Sequence, residues 1–100
     1  MYTQQELINK LTPIFEQYPI KRAAIFGSYS RGEQTNDSDL DLLLELDQTN
    51  ELPDIIYVIW DELEQSITLK TDIITLKALE NTPNAVRERI LRDMRYIYEV

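Results

Sequence analysis

The sequence predicts an α+β fold, a small mixed β-sheet packed on helices. Apolar residues recur at helical spacing in segments near the start, middle and end of the chain. Between them lie short runs that alternate or are rich in β-branched residues, the pattern of half-buried strands. The resulting order is helix, strand, strand, helix, strand, helix.

The first helix opens on Thr3-Gln4-Gln5-Glu6, a capping box in which the two end residues satisfy each other's free backbone N–H groups. Leu7, Leu11, Ile14 and Phe15 supply its apolar face. Pro13 is expected to kink this helix or to restart it, with Thr12 as the new cap. Residues 21–26 (KRAAIF) are a short apolar run stopped by Gly27 and read as a strand. Residues 27–38 are polar and hold both glycines of the chain. From residue 39 to 46 (DLDLLLEL) the chain alternates, with Leu40, Leu42, Leu44 and Leu46 on one face and Asp39, Asp41, Leu43 and Glu45 on the other.

Residues 47–52 read as a loop. Pro53 is expected to open a helix running to about Ser66, with Ile55, Ile56, Ile59 and Leu63 as its stripe. Residues 67–75 (ITLKTDIIT) read as a third strand. Thr82-Pro83 should begin a last helix with Val86, Ile90, Met94 and Ile97 in register. No repeat, linker or low-complexity tract interrupts the pattern, so residues 1–100 are read as one domain.

Composition narrows the chemistry. Cysteine and histidine are both absent, which removes thiolate zinc sites, imidazole ligands and the commonest general base. Any metal must be held by oxygen, which favours magnesium or manganese. The net charge of −8 argues against a protein that grips nucleic acid through its phosphates. Arg87, Arg89, Arg92 and Arg95 cluster near the end and are read as a solvated face that also suits the C-terminal dipole of the expected last helix, with a partner or triphosphate contact as the alternative. No apolar run is long enough to span a bilayer, and the polar start lacks the pattern of a signal peptide. A soluble, cytoplasmic protein with no membrane contact is expected.

The stretch from Gly27-Ser28 to Asp39-Leu40-Asp41 carries the functional signal. Gly27 lets the backbone approach a ligand with no Cβ in the way. Successive N–H groups at a turn leading into a helix can cradle phosphate oxygens, and the Ser28 hydroxyl adds a donor. Asp39 and Asp41, two residues apart on a strand, project from one face. Carboxylates held so close resist joint ionisation unless a cation sits between them. A pair of divalent ions supplies that charge in phosphoryl-type transfer. No Lys-Ser/Thr follows the glycine, so this is not a P-loop.

Gly-Ser, ten intervening residues and Asp-x-Asp together resemble the signature of the DNA polymerase β-like nucleotidyltransferase superfamily. The text FGSYSRGEQTNDSDLDLLLEL is similar to its smallest branch, the MNT-type minimal nucleotidyltransferases, in carrying Arg31-Gly32 after Gly-Ser and Ser38-Asp39 before the strand. The resemblance implies the nucleotidyltransferase fold, with Gly27 and Ser28 at the triphosphate of ATP and Asp39 and Asp41 on two magnesium (or manganese) ions. It also implies a third carboxylate from a later strand, which Asp72 matches by position. Proteins of this branch act as antitoxins beside a helical HEPN-type toxin, and some transfer AMP to a tyrosine of it. The resemblance therefore implies a HEPN-type partner, an assembly with it, and a protein adenylyltransferase activity.

Each residue also has a plainer reading. Asp39 and Asp41 could line the solvent face of a strand in an acidic protein, and Asp72 could be a solvated charge on a sheet edge. Ser28 could simply cap a turn. Arg31 fits a solvated loop residue as well as a phosphate contact. Glu45 shares the aspartate face but lies roughly 13 Å along the strand from Asp41, which makes it peripheral. Trp60 is expected in the core, with a partner surface, together with Tyr57, as the alternative. At the level of function, two alternatives stand beside AMP transfer to a toxin. One is an idle binding module that neutralises its partner by contact. The other is a small-molecule nucleotidyltransferase working as a homodimer.

Overall fold

In the computed structural model, residues 2–47 and 54–100 are described. The elements are α1 (Gln4–Phe15), β1 (Ile20–Phe26), α2 (Ser28–Arg31), β2 (Leu40–Leu46), α3 (Ile55–Ile67), β3 (Thr71–Thr75), α4 (Leu76–Glu80), α5 (Asn84–Asp93) and β4 (Arg95–Glu99). The strands form one sheet in the order β3-β2-β1-β4. Strand β1 runs antiparallel to β2 and β4, and β2 runs parallel to β3. The mixed sheet and its helices are the expected α+β architecture.

The capping box forms as read. Thr3 Oγ1 accepts from the Glu6 N–H at 3.1 Å, and Glu6 Oε1 accepts from the Thr3 N–H at 3.0 Å. Leu7, Leu11, Ile14 and Phe15 are buried. Pro13 does not restart the helix; it lies inside α1, in the last turn. One lost N–H so near a terminus interrupts little of the ladder. Thr12 is not a cap, since its hydroxyl donates to the Ile8 carbonyl at 2.6 Å.

Alternation in β2 sorts the two faces of the sheet. Leu40, Leu42 and Leu44 join the larger cluster with Leu7, Leu11, Phe15, Ile59 and Leu63, so α1 and α3 cover that side. Leu43 points the other way and meets Ala24, Leu79 and Ile90 from β1, α4 and α5. Asp41 and Glu45 share Leu43's parity and therefore lie on this second, more thinly covered side. Among the described residues no helix is long and apolar enough to cross a membrane.

Three expectations change. The strand expected from residue 67 begins at Thr71: Ile67 extends the Ile59–Leu63 stripe by one helical turn, and Thr68, at φ 54°, ends the helix. Helix α4 was not expected; Thr75 caps it by accepting from the Ala78 N–H at 3.1 Å. The last expected helix breaks at Met94 (ψ 145°), and residues 95–99 become β4, with Ile97 buried in the larger cluster. Pairing with β1 gives this segment backbone hydrogen bonds and a buried face, which outweigh its helical spacing. Trp60 is half-buried and belongs to neither apolar cluster, which corrects the core reading, while Tyr57 is 70% exposed. The expected Pro53 helix start and the loop over 48–52 lie outside the described residues.

Candidate active site

Register brings the sequence-predicted aspartates to one end of the sheet. Asp41, at the start of β2, pairs with Phe26 at the end of β1 and with Asp72 near the start of β3. Directly paired residues share a face, with neighbouring strands about 4.8 Å apart. Asp72 thus stands beside Asp41, although the two are far apart in sequence. Asp39 immediately precedes β2 and is half-buried, whereas Asp72 is exposed. Among the described residues no three acidic side chains close into a metal cage.

Asp41 has the most perturbed electrostatics. Its carboxyl is pushed up to about 6, first by burial, then by the charges of Asp72 and Asp39, with Arg31 pulling the other way. Asp39 is the like charge that the strand spacing places there and Asp72 the one that the β2–β3 register adds, and both act on a half-buried group.

Gly27 has a reason for being glycine that its place in the motif did not disclose. It takes φ 72° and ψ −151°, a region that residues with a Cβ rarely adopt. A Cβ placed on it would overlap Asp41 Oδ2 and lie 3.3 Å from Asp41 Cγ. The glycine therefore makes room first for the aspartate. Gly32, at φ 71°, ends α2 in the left-handed conformation with open space around it.

Between the glycines, α2 is a single turn. The Gly27 carbonyl accepts from Ser30 N at 3.1 Å, Arg31 N at 3.3 Å and Ser30 Oγ at 2.8 Å. Ser28 opens the turn and is half-buried, and its hydroxyl makes no hydrogen bond among the described residues. Tyr29 is fully buried in the larger cluster and anchors the turn. Arg31 is not a free loop residue: it pairs with Glu33 and, through Nη1, with Asp93 Oδ2 at 2.9 Å. Glu45 is peripheral as expected, paired with Arg22.

Two residues that the sequence did not place at the turn also reach it. Gln4 Nε2 donates to the Tyr29 carbonyl at 3.1 Å, and Arg95 Nε donates to the Ser30 carbonyl at 3.0 Å. The sequence alone puts Arg95 on the last helix, among the clustered arginines. Only the unexpected strand β4 brings it here.

The end of a mixed sheet thus presents a Gly-Ser turn, two aspartates in register and a third at the strand mouth. Residues 9–100 match the family described as Polymerase beta, Nucleotidyltransferase, and the chain belongs to that family. It is a nucleotidyltransferase. It is 37% identical, over 95 residues and 93% of both chains, to a provisionally named protein adenylyltransferase of Methanocaldococcus jannaschii. Its fold is similar to that of a toxin–antitoxin complex solved with AMP-PNP, with a TM-score of 0.72 at 18% identity, over 93% of this chain and 73% of that one. It is also similar to a structure of a tri-AMPylated Shewanella oneidensis HEPN toxin with its MNT antitoxin, with a TM-score of 0.68 at 16% identity, over 98% and 74% of the two chains.

Proposed function

We propose that this nucleotidyltransferase transfers AMP from ATP to a hydroxyl, by resemblance a tyrosine, of a helical HEPN-type toxin, and so acts as its antitoxin in the cytoplasm. The observation that carries this reading is the register of Asp41 with Asp72, beside Asp39 and against the Gly27–Ser28 turn. The M. jannaschii relative's name supports adenylyl transfer, and the two toxin–antitoxin structures of like fold support the class of partner.

The donor set fits a divalent metal. Asp39, Asp41 and Asp72 offer only oxygen, and Asp41 is held out of its charged form by burial and then by its neighbouring like charges. An open set suits magnesium or manganese, which take one or two carboxylates and fill their remaining positions with water and phosphate oxygens. These three residues would hold two such ions, which when bound offset triphosphate charge and lower the pKa of an acceptor hydroxyl. Gly27 keeps the turn close to Asp41. Ser28 offers a hydroxyl donor to the phosphates. Asp72, exposed at the edge strand, faces an incoming acceptor. Arg31 tempers the negative field at Asp41 while tied to Glu33 and Asp93.

A partner protein that carries the acceptor also supplies the positioning on which transfer depends, since an unheld hydroxyl reacts slowly. ATP labelled at the α-phosphate or at the γ-phosphate tests the reaction. Adenylyl transfer leaves the α label on the partner and releases the γ label with pyrophosphate. A partner labelled only from the γ-phosphate, or from neither, overturns the reading.

A further inference from the structure

The turn that presents Ser28 is poorly equipped to hold itself. It is one helical turn long and flanked by two glycines, which lose the most backbone freedom on ordering. Three donors on the Gly27 carbonyl fix its start, and the N–H groups of Gly32 and Glu33 both return to the Ser28 carbonyl. That leaves the carbonyls of Tyr29 and Ser30, the last of a helix and without partners inside it. Both residues are buried, so water is a poor substitute.

Two side chains from remote parts of the chain take these carbonyls. Gln4, in the first turn of α1, donates Nε2 to Tyr29 O at 3.1 Å and lies 3.5 Å from Ser30 O. Arg95, the first residue of β4, donates Nε to Ser30 O at 3.0 Å and brings positive charge to the C-terminal end of the turn. The capping box of Thr3 and Glu6 fixes the backbone around Gln4, and pairing with Ile25 fixes Arg95. We infer that Gln4 and Arg95 are positioning residues that clamp the Gly27–Arg31 turn in the geometry that receives the triphosphate. The inference rests on the nucleotide-site reading above and adds to it the device that orders the site.

The test compares the intact protein with Gln4→Glu and Arg95→Gln. Gln4→Glu keeps shape and places a charge that a helix N-terminus favours, but it removes the donor. Gln5→Glu and Arg92→Gln are charge-matched controls. Among the described residues the Gln5 side chain bonds only to Asn9, at 3.0 Å, and Arg92 is largely exposed. The readouts are the Kd for magnesium-ATP by calorimetry and amide hydrogen exchange at Ser30 and Arg31. Both clamp variants are expected to bind about tenfold more weakly, with faster exchange at those two amides, a Tm lowered by several degrees and controls like wild type. Clamp variants that bind as tightly as wild type, or controls that weaken equally, overturn the inference. Should Arg95→Gln fail to fold, Gln4→Glu against Gln5→Glu decides. If the wild type itself binds no nucleotide, the functional reading falls and this inference with it, a result distinct from tight binding by every variant.

Discussion

The carboxylate of Asp41 lies against the Cα of Gly27, with no room between them for a methyl group. A signature residue of the turn and a signature residue of the strand are therefore one packing unit. This close approach makes the two positions energetically coupled.

Gly27→Ala should consequently cost stability as well as activity. The left-handed φ and the overlap with Asp41 together are expected to destabilise the fold by about 1–3 kcal/mol. Combining it with Asp41→Ala removes the obstructing carboxylate and should recover part of that loss. A double-mutant cycle by urea denaturation measures the coupling; strict additivity would show that the two residues do not touch.

Metal-free stability should depend on pH through Asp41. Its folded pKa, about 6, lies above its ordinary value of 3.8. Between these values the folded state holds a proton that the unfolded state has lost, so this group makes stability fall as pH rises from about 4 to about 6. The group is half-exposed, and solvent screening reduces the effect to the order of 1 kcal/mol. In the presence of a chelator, Asp41→Asn should flatten that part of the Tm–pH curve and raise Tm near pH 7. An unchanged slope would mean that Asp41 is not the titrating group.

Asp39→Asn with Asp41→Asn should abolish transfer while leaving the fold and partner binding intact, because neither residue belongs to the apolar clusters. Size-exclusion chromatography with the partner, alongside the transfer assay, separates the two functions. Residual transfer near the wild-type rate would remove both residues from the site.

Ile97→Ala should cost about 2–4 kcal/mol in chemical denaturation, the range for an aliphatic side chain lost from a core. A cost near zero would fit an exposed helical end and contradict the placement of β4.

Local signals and the strand through the site were legible in the sequence; the long-range contacts were not. The Thr3–Glu6 box, the alternation of β2 and the Gly27-to-Asp41 spacing are written within short windows, and all three have structural counterparts. Asp72 was found through the resemblance, and its register with Asp41 depends on a parallel pairing that no local pattern encodes. Strand β4 was missed because Val86, Ile90, Met94 and Ile97 keep a helical period across the break at Met94. With β4 misread, Arg95 could not be connected to Ser30. The steric reason for Gly27 was likewise hidden, because it lies in the side chain of a residue on the next strand.

The most direct test of AMP transfer is intact-mass measurement of a candidate HEPN-type partner, co-incubated with purified protein, ATP and magnesium. The account predicts that the partner gains about 329 Da per transferred AMP, and gains nothing when Asp39 and Asp41 are both asparagine. A partner that is neutralised by the wild-type protein with no change in mass under any nucleotide would contradict it.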